Sequence, residues 1–107
     1  MAYYLVRAKP HWAKLAHLRI RLDAGEIVKM HPFGPALDQG LRQARLENAL
    51  EAETQVALWE EEDYCRPPLA QERAAVLDDY FTDLTVTPVK PLEGWAQIEH
   101  LPSLWAR

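Results

Sequence analysis

Apolar and polar positions fall into short blocks whose period changes along the chain. Tyr3 to Ala8 (YYLVRA) is aromatic and β-branched and ends at Lys9-Pro10, which predicts a first strand. From about His11 the period lengthens. His11, Trp12, Leu15, Leu18 and Leu22 fall close to the i, i+3, i+4, i+7 spacing of one helix face, and Gly25 closes it as a cap. The stretch 18–31 admits a second reading as a hairpin, because Leu18 to Leu22 alternates strictly and Asp23-Ala24-Gly25-Glu26 suits a turn. The helix is preferred: Trp12 and Leu15 extend its pattern upstream, and Ile20 is its one large apolar misfit. Ile27 to His31 then reads as a strand stopped by Pro32 and the Phe33-Gly34-Pro35 turn.

Beyond Ala36 the spacing of Leu37, Leu41, Ala44, Leu46 and Leu50 is helical, although Leu41 to Leu46 equally fits the first arm of a hairpin. Thr54 to Glu60 sets Val56 and Leu58 against Ala57 and Trp59, the pattern of an interior strand covered on both faces. Pro67 and Pro68 stop that element and start another. Ala70, Ala74, Leu77 and Phe81 make one buried helical stripe, with Glu72 in the first turn. Asp83 to Val89 alternates again, and its Pro88 suits an edge or a strand end. The segment 91–107 holds Trp95, Ile98, Leu101, Leu104 and Trp105, too much apolar area for a free tail. The expectation is therefore a single domain over 1–90, with a 91–107 tail docked on it or on a partner subunit.

The order strand, helix, strand, strand, helix, strand matches a split βαβ arrangement: an α+β fold with a four-stranded antiparallel sheet and two helices on one face. The open sheet face would be covered by a second copy or by the tail. Tyr4-Leu5-Val6, His17-Leu18, Gly25-Glu26-Ile27 and Gly34-Pro35 resemble the small ferredoxin-like proteins of the dimeric α+β barrel type, most nearly the YciI-like group. That resemblance implies a homodimer with a helix–sheet cleft for a small organic ligand, and a histidine and an acid as acid–base groups. His17 is the position that matches.

At 107 residues and 12.3 kDa, with 49% apolar residues, one core is the expectation and disorder is excluded. The lone serine, Ser103, stands beside Pro102 near the C-terminus and is a poor nucleophile candidate. The four scattered glycines build no phosphate loop or dinucleotide fingerprint, so no cofactor is expected. With Cys65 alone, no disulfide framework or thiol-based zinc site is expected within one chain, and a reducing cytoplasm is the natural location. No leader or membrane-length apolar run is visible. Net charge is −4, divided between a basic 1–31 segment, with six bases against two acids, and a markedly acidic remainder. Seven acids and no base lie between Arg45 and Arg66, which makes nucleic acid a poor partner.

The most unusual stretch is Trp59 to Pro68 (WEEEDYCRPP). Alternation points Glu60 and Glu62 to one face and Glu61 and Asp63 to the other, so at most two carboxylates converge. Mg²⁺ or Ca²⁺ would accept such a pair, but a solvated strand end that discourages edge pairing explains the charges, and no metal site is expected. Cys65, near Arg66 and a helix start, is a candidate reactive thiol opposed by the acids before it. His31, oriented by Asp38, is the acid–base candidate that the residues themselves offer, and His17 is the one that the resemblance implies. The histidines have no metal-site spacing. Trp12, Arg19, Trp59, Arg66 and Arg73 are candidates for a cleft holding a small anionic ligand. Arg19 also suits stacking on Trp12, and Arg73 suits an ion pair with Glu62. The competing reading is an interaction module that works through the acidic strand end and the Trp-rich tail.

Overall fold

A computed structural model describes residues 2–106. The chain is α+β, running β1 (Ala2–Pro10), α1 (Trp12–Asp23), α2 (Gly34–Arg42), β2 (Arg45–Glu47), β3 (Val56–Asp63), a helical segment α3 over 70–80, β4 (Phe81–Val89) and α4 (Glu93–Ile98). The strands form one antiparallel sheet ordered β2-β3-β1-β4. β1 and β3 are thus the interior strands, and the Pro88-bearing β4 lies at an edge, where a missing N–H costs nothing.

Pairing fixes which side chains share a face. Val6 stands opposite Trp59 of β3 and Val86 of β4. On that side Val6, Ala8, Ala57 and Trp59 pack with Leu15, Leu18 and Leu22 of α1, Leu37 and Leu41 of α2, and Val76, Leu77 and Tyr80 of α3. The other face carries Leu5 and Leu58, which pack with Ile98 of α4. The tail also reaches the main core through Leu104, and Ser103 bridges to Arg45 beside β2.

For 11–24 the helix is the observed state. Leu15, Leu18 and Leu22 are buried while Ile20, the misfit of the pattern, is 65% exposed. Ile27 to His31 is not a strand. Its backbone is a run of turns, with Met30 N–H donating to Ile27 O at 3.1 Å and Gly34 N–H to Met30 O at 2.8 Å, and Ile27 plugs the core as a single side chain. Gly34 permits this fold-back, since a Cβ there would lie 2.4 Å from Ile27 O. The ambiguous 36–50 region divides: Leu41 belongs to a helix that ends at Arg42, and Leu46 to a three-residue strand.

Of the stripe expected in α3, Leu77 and Phe81 are buried and Ala70 is half-buried, but Ala74 falls out of it. The middle of α3, Arg73–Leu77, is a π-helical turn, so Ala74 is exposed and Glu72, Val76, Leu77 and Tyr80 take the buried side. An i→i+5 turn inserts one residue into the 3.6-residue period and rotates the later side chains by about 100°.

Candidate functional site

The acidic run at the end of β3 is not a solvated strand end. Glu60, Glu61 and Asp63 are all buried, together with Glu72 from the first turn of α3. Strand alternation explains the division of labour. Glu60, on the α4 side, accepts N–H bonds from Leu92 at 2.9 Å, Gly94 at 2.7 Å and Trp95 at 3.4 Å. It ties the start of α4 to the sheet. Gly94 is required for the approach, because a Cβ there would sit 2.9 Å from Glu60 Oε1.

On the core side, Glu61 Oε1 accepts the indole N–H of Trp59 at 2.9 Å. Asp63 Oδ2 accepts the backbone N–H of Leu69 at 2.7 Å and of Cys65 at 3.1 Å. These bonds fold residues 64–69 back over the strand end, and they hold Leu69 at φ 63°, left-handed backbone that costs a branched residue roughly 1–2 kcal/mol. Cys65 Sγ lies 3.7 Å from Glu72 Oε1. The donor atoms of Asp63, Cys65 and Glu72 all lie within 4.8 Å of one another. Glu61 Oε2 and Glu72 Oε2, both buried, find no amide, amine or hydroxyl donor among the described residues; Asp38 Oδ2 is the other such oxygen.

Burial and the adjoining acids separate the ionisation of these groups. Glu61 is pushed well above the usual carboxyl range, first by burial and then by Glu72 beside it, against the opposing indole hydrogen bond. Glu72 is also raised by burial. Burial would raise Asp63 too, but the amides of Leu69, Cys65 and Tyr64 and the carboxyl of Glu72 outweigh it, and its pKa is lowered. Asp63 is the natural carboxylate of the cluster, and Glu61 and Glu72 are the proton carriers. At Cys65 the Gln71 amide favours the thiolate, but burial and the charges of Asp63 and Glu72 prevail and the thiol pKa rises. That environment does not favour a free thiolate nucleophile.

A partly enclosed pocket of about 220 Å³ adjoins the cluster, with Pro32, Phe33 and Pro35 among its apolar walls and Glu62, Asp63, Cys65 and Gln71 among its polar ones. The other candidates are dispersed. Trp59 is fully buried core, packed on Phe81. Trp12 and Arg19 line a shallow groove with Leu104 and Trp105; Arg19 pairs with Asp23 and stacks on Trp105, with Cζ 5.5 Å from the ring centroid. Arg73 pairs with Asp78 at 3.6 Å, not with Glu62, and Arg66 is exposed. His31 is exposed, while Asp38 is tied to Arg42 at 2.7 Å. His17 Nδ1 meets the Tyr80 hydroxyl at 2.9 Å.

Sequence reasoning singled out Asp63 and Cys65 but missed Glu72 as their partner. The signal was there: Glu72 stands three residues after Leu69 and four before Val76, inside the buried side of α3. Compared with known protein families, curated proteins and solved structures, the chain finds no match. Among the described residues no helix is long and apolar enough to cross a membrane.

Proposed function

We propose that this protein binds a small ligand in the pocket beside the end of β3, and that the ligand presents a positive charge or a hydrogen-bond donor to Asp63. The observation that carries this reading is the partly enclosed pocket walled by Glu62, Asp63 and Cys65, behind which lie the buried carboxyls of Glu61 and Glu72. A concave, partly apolar pocket with a few convergent polar groups is the usual setting of a small-ligand site. The acidic wall argues against an anionic ligand. The volume of about 220 Å³ is below the roughly 300–1,000 Å³ of drug-sized sites, so the occupant has few heavy atoms.

The reading takes the strand order β2-β3-β1-β4 as a ferredoxin-like split βαβ sheet with α2 inserted before β2. It also keeps the homodimer, formed through the part of the second sheet face around Arg7, Thr85 and Thr87 that stands beyond the Leu5, Leu58 and Ile98 cluster. Light scattering tests that assembly, and a mass of one chain removes it. For the pocket, methylammonium and methylguanidinium are titrated into ¹⁵N-labelled protein. Saturable shifts at Phe33, Asp63, Tyr64 and Cys65, weakened in Glu62→Gln, are expected; probes that leave those amides unmoved sink the reading.

A further inference from the structure

We infer that Asp63, Cys65 and Glu72 form a binding site for a divalent cation of the zinc type, open toward the pocket. This deepens the cationic-ligand reading by naming the cation, and it rests on that reading for its use of the same cavity.

Ionised carboxylates only accept hydrogen bonds. Glu72 is fully buried, with Asp63, Glu61 and the Cys65 sulfur around it, and its Oε2 has no amide, amine or hydroxyl donor; the facing Glu61 Oε2 is in the same position. Acceptors gathered this closely in a low-dielectric interior need something positive among them, either protons or a cation. The donor set then discriminates between cations. Two carboxylates and one thiol suit zinc and its borderline neighbours, whereas Mg²⁺ and Ca²⁺ prefer six or more oxygens.

Geometry agrees. Tetrahedral ligands at about 2.0–2.2 Å (oxygen) and 2.3 Å (sulfur) from zinc lie roughly 3.3–3.7 Å from one another. Cys65 Sγ and Glu72 Oε1 are already at 3.7 Å, and all three donor atoms are within 4.8 Å. The side chains have about 1 Å to close. Asp63 and Cys65 also line the pocket, so a fourth coordination position faces the cavity, the arrangement of an open rather than a structural site. The scaffold is held in advance: Asp63 is pinned by two backbone amides, and Glu72 is clamped in the core just before the π turn. Glu61, anchored by the Trp59 indole, backs Glu72 from outside the ligand set.

The test uses the full chain, freed of metal by chelation and titrated with Co²⁺ and then Zn²⁺. One Co²⁺ per chain is expected, with a thiolate-to-cobalt charge-transfer band in the near ultraviolet that Zn²⁺ abolishes. Cys65→Ser should remove the band, and Glu72→Gln should weaken binding by about tenfold or more. Cys65 is only part-buried, so its variant remains informative should Glu72→Gln fail to fold by circular dichroism. No cobalt uptake, uptake without the charge-transfer band, or uptake indifferent to both substitutions each overturns the site. Methylammonium binding in the pocket without metal uptake overturns this inference and leaves the cationic-ligand reading standing; silence from both probes removes both.

Discussion

Glu60 offers the sharpest test of how the tail is held. Its buried carboxylate is the acceptor for three successive contacts at the start of α4, the N–H groups of Leu92, Gly94 and Trp95. Glu60→Ala removes that acceptor and strands the Gly94 amide, whose residue is itself buried. A hydrogen bond to a charged group contributes about 1.5–3 kcal/mol, and a buried donor left alone costs about 1–3 kcal/mol. The longest contact, to Trp95, adds little, and water can reach the exposed Leu92. The expected loss is therefore about 2–3 kcal/mol, a fall in Tm of roughly 10–20 °C for a domain of this size. Glu60→Gln keeps one acceptor oxygen without the charge and should lose about half as much. Urea unfolding followed by tryptophan fluorescence measures both. Hydrogen exchange at Gly94 and Trp95 separates local undocking from global destabilisation. A Glu60→Ala protein within about 0.5 kcal/mol of the parent, with unchanged exchange at those amides, would refute the assignment of Glu60 as the anchor of α4.

Gly40→Ala should cost about 1–3 kcal/mol in denaturant unfolding, since the new Cβ would lie 2.8 Å from Trp59 Cδ1 and 3.3 Å from Glu60 O; an unchanged midpoint would mean that α2 is free to lift off β3. The buried acids predict a pH dependence in chelator-treated protein. Glu61 and Glu72 are held above their unfolded values, so their contribution to stability is full below the ordinary glutamate range and is lost as pH rises through the raised values. Asp63 works in the opposite sense, stabilising above the ordinary aspartate range and losing its contribution as pH falls. Glu61→Gln should therefore gain stability relative to the parent as pH rises above the ordinary glutamate range. Parallel pH curves for the two proteins would contradict a proton-bearing Glu61.

Much of the fold was legible in the chain. β1, α1, β3 and β4 have periods that match their surroundings, and Ile20 shows on which side of α1 the solvent lies. The misreadings have particular causes. Ile27 to His31 has strand-like composition, but Gly34 lets the chain turn back on itself and uses Ile27 as one isolated core contact. The α3 stripe assumed an unbroken 3.6-residue period, which the π turn interrupts. The site was half legible. Alternation along β3 put Glu61 and Asp63 on one face, but composition made both look solvated.

Local pattern and covalent chemistry thus determined the types of β1, α1, β3 and β4, the two-sided burial of β3 and the sorting of its acids onto two faces, because side-chain period and backbone propensity act within a few residues. Only the tertiary structure decided which acids are buried and with what partners. Glu60 meets the amides of α4 more than thirty residues away, and Asp63 and Cys65 meet Glu72 only because the 64–69 loop folds back and α3 packs over the sheet. Burial, not residue type, sets the cost of a carboxylate's charge, and burial comes from the packing of the whole chain.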